Sequence, residues 1–106
     1  MNTNEKICKW LGLETEKDPL TEHLRTRYKA LEFVYIDFLH DRNQQKWIWD
    51  KLMELGYIII STTDMEGTDV VIYKKNHKPN SERIFNKDED LAFIQAVEQL
   101  IDKENE

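Results

Sequence analysis

Apolar positions recur along this chain at two spacings, and the change from one to the other organises it. Near the start, Ile7, Trp10 and Leu11 fall at i, i+3, i+4 with Cys8 beside them, the stripe of a helix. Asn2 followed by Glu5 reads as a capping box and Gly12 as a left-handed stop, so a helix is predicted over about 3–11. The polar stretch LETEKD reads as a connection. Asp18-Pro19 then offers a cap and a first-turn proline. Leu20, Leu24, Tyr28, Leu31 and Tyr35 follow at steps of four and three, predicting a helix over about 19–36. The segment EFVYIDFL at 32–39 is also rich enough in aromatic and β-branched residues to form a short strand, and periodicity does not decide between the two.

Asp41 with Gln44 makes a second capping box, and Ile48, Leu52 and Leu55 continue as a stripe up to Gly56, which predicts a helix over about 42–55. Trp47 and Trp49 cannot both point inward from one helix, and Trp49 is expected at the edge of the core or in solvent. From Tyr57 the pattern becomes strand-like. Runs at about 57–63, 68–75 and 81–85, the last after a Lys78-Pro79-Asn80 turn, read as three strands. Asn86 with Glu89 is a third capping box, and Leu91, Ile94, Val97 and Ile101 predict a final helix over about 87–102. The expected fold is α+β in a single domain, 1–106, with a small antiparallel three-stranded sheet packed between helices. Ile58, Ile59 and Ile60 in succession lead us to expect a strand buried on both faces.

Composition changes the picture in two ways. With 40% hydrophobic and 34% charged residues, the chain has enough apolar material for one modest core and a heavily charged surface. The net charge is −6, and it is uneven: residues 1–55 carry nine Lys/Arg against ten Asp/Glu, and residues 56–106 carry six against eleven. An acidic chain suits a nucleic-acid backbone poorly, so direct nucleic-acid binding is not expected. Cys8 is the one cysteine and is expected in the core. With no apolar leader and no run long enough to span a bilayer, a cytoplasmic location and no membrane partner are expected.

Candidate chemistry is sparse. Asp64, Glu66 and Asp69 at the tip between the first two strands superficially resemble oxygen ligands for a divalent cation. Counting from Asp64, however, position 12 is Lys75 where a calcium loop needs a bidentate Glu, and a surface turn around Gly67 explains the same residues. Lys74, Lys75, His77 and Lys78 form a basic run that either meets an acidic partner or guards a sheet edge. His23, His40 and His77 have no metal-ligand spacing, and no phosphate-cradling or nucleophile motif is present. No catalytic, cofactor or metal residue is assigned, and an enzyme is not expected. The candidate partner surface is Trp49, Asp64, Glu66, Asp69, Lys74, Lys75 and Lys78, because exposed aromatics and charges of this kind serve protein interfaces.

The segments EKICKWLGL, DRNQQKWIWDKLMELGYIII and DEDLAFIQAVEQLI together resemble the phage ABA-sandwich domain family, in which a small sheet lies between helices. The resemblance implies a phage or prophage accessory protein in a bacterial cell, and carries no catalytic residues. The leading expectation is a non-enzymatic protein that binds a host protein, for instance as an inhibitor of a defence or nucleic-acid enzyme. The alternative is a small-molecule, nucleotide-like binder or minor enzyme with a pocket between sheet and helices, using Tyr57, His77, Arg83 and Cys8. A homodimer remains open on sequence grounds.

Overall fold

Among residues 2–28, 32–74 and 83–105, which the computed structural model describes, the chain forms three helices and six strands, an α+β fold. In chain order these are α1 (Thr3–Leu11), β1 (Thr15–Lys17), β2 (Leu24–Tyr28), β3 (Glu32–Tyr35), α2 (Arg42–Glu54), β4 (Tyr57–Thr63), β5 (Thr68–Lys74), β6 (Ile84–Asn86) and α3 (Glu89–Glu104). The strands make two antiparallel sheets, β1-β2-β3 and β4-β5-β6. None of the described helices is long and apolar enough to cross a membrane.

Helix α1 forms where the sequence places it. The Asn2 side chain accepts from the Glu5 N–H at 2.8 Å, and Gly12 closes the helix at φ 76°. Its inner residues Ile7 and Cys8 are buried in the core. Its flank is strapped to α3: Thr3 donates to Glu98 at 2.6 Å, Lys6 pairs with Glu98 and Asp102, and the Trp10 indole donates to Glu104 at 3.2 Å.

The helix expected over 19–36 is not there. Residues 24–28 and 32–35 are strands, and the presumed connection supplies a further strand at 15–17; residues 29–31 lie outside the described part. The cause lies in the ambiguity of the spacing. Steps of four satisfy a helix stripe, and they also keep residues on one side of a strand, whose side chains alternate with period two. Local chemistry then favours extension. Phe33-Val34-Tyr35-Ile36 is aromatic and β-branched throughout. Asp18 closes a turn instead of opening a helix, accepting from the Leu20 N–H at 2.8 Å, and Glu22 sits at φ 62° where no helix can pass. Leu20, the first residue of the supposed stripe, is 93% exposed.

Two buried glutamines join this first sheet to the rest. At the start of α2, capped by Asp41, Gln44 accepts from the Asp37 N–H at 2.8 Å and donates to the Tyr35 carbonyl at 2.7 Å. Gln45 donates to the Phe38 carbonyl at 2.9 Å and to Asp90 on α3 at 3.1 Å. Gln44 therefore does not complete a box with Asp41; its amide is turned to the end of β3. At α3 the cap is likewise Asp88, which accepts from the Leu91 N–H, while Asn86 accepts from the Asp88 N–H one step earlier.

The second sheet carries the helical layer. Helix α3 packs on β5 and β6, α2 on β4, and α1 against both helices. Val70 and Ile72 of β5 are buried beneath them, and their cross-strand partners Ile59 and Ile84 share that face. The expectation of a β4 buried on both faces is corrected here. Its other face has no helix of the described residues over it, and Ile60 is 48% exposed. The third strand also begins later than expected, at Ile84 rather than 81, with 81 and 82 outside the described residues.

Truncating Gln45 to Ala strands the buried Phe38 carbonyl without its donor. An unsatisfied buried acceptor costs about 1–3 kcal/mol, so chemical denaturation of Gln45→Ala should show a loss in that range. The exposed neighbour Lys46→Ala should change stability by less than about 0.5 kcal/mol.

Candidate interaction surface

The alternation of side chains along β4 and β5 decides what the second sheet shows to its surroundings. Residues 57, 59, 61, 70 and 72 face the helices, which leaves Ile58, Ile60, Thr62, Asp69, Val71 and Tyr73 on the opposite side. Register places them in rows, Ile58 opposite Tyr73, Ile60 opposite Val71, and Thr62 opposite Asp69, with Phe85 of β6 next to Asp69. Ile60 and Phe85 are exposed, the latter by 51%, and Ile58, Val71 and Tyr73 are half-buried. Five large apolar side chains thus share this face with the charged Asp69. Scattered apolar residues at a surface need no explanation, but a contiguous group marks a contact site.

At one end of this face is the acidic tip, and it is a turn. Asp64 Oδ1 accepts from the Glu66 and Gly67 N–H groups at 2.8 and 3.1 Å, and the Asp64 N–H donates to the Gly67 carbonyl at 2.9 Å. The Asp64 carboxylate is therefore spent on its own backbone. Gly67 is held by close approach: a Cβ there would come within 2.6 Å of the Asn86 carbonyl and 2.7 Å of the Phe85 ring. Among the described residues no group of three or more His, Cys, Asp or Glu is placed to hold a metal ion.

The remaining members of the predicted surface are scattered. Lys74 lies at the other end of the hairpin, opposite Tyr57, with its ammonium 5.4 Å over that ring. Trp49 is on α2, on the helical side of the sheet, stacked on Phe93 at 5.4 Å and partly exposed. Lys75 and Lys78 lie outside the described residues, as does His77. Asp64, Glu66 and Asp69 are close together, whereas Trp49 and Lys74 are at two other places. The apolar residues of the uncovered face had no part in the predicted surface. Their signal is present in the sequence as two unbroken apolar runs, 57–60 and 70–73, and the isoleucines of the first suggest burial on both faces.

Of the groups expected to line a small-molecule pocket, His77 lies outside the described residues, and Cys8 and Tyr57 are both core residues. Cys8 is buried, and burial, reinforced by Glu5, pushes its thiol up to about 11. Tyr57 is buried beneath the helices with its hydroxyl donated to Glu104, and burial followed by that bond pushes its pKa up to about 12. A hollow of about 250 Å³ does lie between α2, α3 and Ser61. Four of its polar groups engage one another: Arg42 reaches Asp90 at 3.5 Å and Glu89 at 3.9 Å, and Gln45 donates to the same Asp90.

A further cluster lies on the first sheet, where the sequence spacing predicts a helix. Buried Asp18 accepts from the Tyr35 hydroxyl at 2.6 Å and lies 3.5 Å from Arg25, which also pairs with Glu16 at 2.8 Å. The Arg25 guanidinium lies 3.9 Å over the Phe33 ring and that of Arg27 4.9 Å from it. The bond from Tyr35, then that from Leu20, holds the Asp18 carboxyl below its usual range. Every polar atom named here has a partner, so the cluster reads as a fastening of the sheet.

No family model matches the chain, and no curated protein or solved structure matches it significantly.

Because the Asp18 pKa is depressed in the fold, its contribution is complete above the ordinary carboxylate pKa of about 4 and is lost as pH falls through the lower folded value. Asp18→Asn should therefore melt below wild type at pH 7, and the gap should close as the two are compared at progressively more acid pH. A gap independent of pH would show that the charge of Asp18 contributes nothing. Gly67→Ala should also lower the melting temperature, because the atoms it meets include backbone of β6.

Proposed function

We propose that this chain is a non-enzymatic binding protein whose partner is another protein, a host protein in the setting that the resemblance to phage ABA-sandwich proteins implies. The observation that carries the reading is the uncovered face of the second sheet, where Ile58, Ile60, Val71, Tyr73 and Phe85 stand together. A sheet face with this composition gains free energy when a second surface covers it, at about 25 cal/mol for each Å² of apolar area removed from water. The rim is polar and acidic at the tip, through Asp64, Glu66 and Asp69, which suits a contact with an apolar centre and charged edges. In the hollow between α2 and α3, Arg42, Gln45 and Asp90 are already paired with one another, which leaves fewer free groups for a ligand.

The test is a quantitative pull-down from bacterial lysate, followed by titration of any retained protein, once purified, against the chain. Val71→Lys places a charge in the middle of the face without touching the helix-covered side. It should weaken binding at least roughly tenfold, since burying one unpaired charge costs more than about 1.4 kcal/mol. Retention of the same protein with equal affinity by Val71→Lys would overturn the assignment to this face. A lysate with no retained protein would overturn the binding reading itself.

A further inference from the structure

The edge of β4 carries an inference that does not depend on the reading above. In the order β4-β5-β6, β4 is an outer strand, and no described strand pairs with its far side. It is seven residues long, Tyr57 to Thr63, and the sequence YIIISTT contains no charge and no proline. Natural edges are usually blunted by one of these devices, because a free row of N–H and C=O groups invites another strand. From Ile60 onward the strand is exposed.

Register specifies which groups are free. The Asp64 N–H donates to the Gly67 carbonyl, so that pair is hydrogen-bonded, and alternation makes Thr62–Asp69, Ile60–Val71 and Ile58–Tyr73 hydrogen-bonded as well. The N–H and C=O groups of Tyr57, Ile59, Ser61 and Thr63 consequently point outward. A second β4 running antiparallel, with a two-fold axis at Ile60, sets Ile59 opposite Ser61 of the other copy and Tyr57 opposite Thr63. Every outward residue then meets an outward residue, which gives about eight hydrogen bonds with no slip in register. The two Ile60 side chains form the close pair at the axis, on the uncovered face.

Charge favours the same arrangement. Asp64 and Glu66 lie just beyond Thr63, while Lys74 sits opposite Tyr57 with its ammonium drawn over that ring. Each hairpin carries Asp64 and Glu66 at its tip and Lys74 at its base, so antiparallel pairing brings Lys74 of one copy toward the acidic tip of the other. The net charge of −6 per copy opposes association, but none of it lies on the strand that forms the contact. We propose that the occupant of this edge is a second copy of the chain, joined β4 to β4 about a two-fold axis at Ile60 into one continuous sheet.

Sedimentation velocity of the purified chain over a micromolar to submillimolar range should show a monomer–dimer equilibrium. Ser61→Pro removes an outward N–H that no intramolecular bond uses, as prolines on edge strands do, and should weaken the dimer at least tenfold while circular dichroism stays that of the wild type. Oxidation of Ile60→Cys should link two copies through the introduced thiols, because a pair at the axis lies within disulfide reach; Cys8 is buried and out of play. Thr62→Cys, exposed on the same face but opposite residue 58 of the other copy, should not cross-link. A wild type that stays monomeric throughout, or equal cross-linking of the two cysteine variants, would overturn the seam. Val71→Lys leaves the edge intact and should dimerise as wild type does, so failure of this seam is distinguishable from failure of the binding face.

Discussion

The amides of Gln44 and Gln45 are what make the two sheets parts of one structure. The first sheet is small and mostly exposed, and its apolar link to the core runs through a few residues, chiefly Leu24, Ile36 and Phe38. Its last strand leads into a segment whose backbone is buried with no ladder to join. Gln44 supplies both an acceptor and a donor to that segment, to Asp37 and Tyr35, and Gln45 supplies a donor to Phe38 while also reaching Asp90 of α3. Buried backbone groups left without partners are expensive, so these contacts fix both the exit of β3 and the start of α2. Helix α2 in turn sets where β4 begins. A polar device of this kind is more directional than apolar packing, and a pair of leucines would hold the joint without specifying its angle.

Coverage of the second sheet is one-sided for a simple reason of supply. Among the described residues three helices are available, and α1 is used against the other two instead of against a sheet face. One face of β4-β5-β6 is therefore covered by the described helices and the other is not, although both faces carry apolar residues. The mismatch between what β4 and β5 are made of and what covers them is the feature with functional content. The charged groups that first attract attention, at the hairpin tip and in the cluster around Asp18, are by contrast engaged with their own surroundings.

Much of this was legible in the sequence. The helices at 3–11 and 42–54, the hairpin 57–63 with 68–74, and the last helix could be read because caps and stops agreed with apolar period. The tip could be read as a turn because Asp and Gly stood where a turn needs them. Residues 15–35 depart from the expected helix because spacings of four fit a strand face as well as a helix stripe, and the turn at Asp18 with a left-handed Glu22 interrupts the helix locally. The uncovered face escaped for a related reason. Three consecutive isoleucines announce an apolar strand, but whether a second layer of helices exists to cover it depends on how the helices are shared out.

The strapping of α1 to α3 has a consequence for the order of events in synthesis. Ile7 and Cys8 are completed as core only by residues of α3, and the bond from Thr3 to Glu98 spans 95 positions. At roughly 5–20 residues per second, a ribosome leaves α1 waiting about 5–20 seconds for its partner. Late in that interval the β4–β5 hairpin exists with α2 available to cover β4 but without α3 over β5. The nascent chain is then a better substrate for a chaperone than the finished one, and its earliest helix is among the last elements to be locked in place.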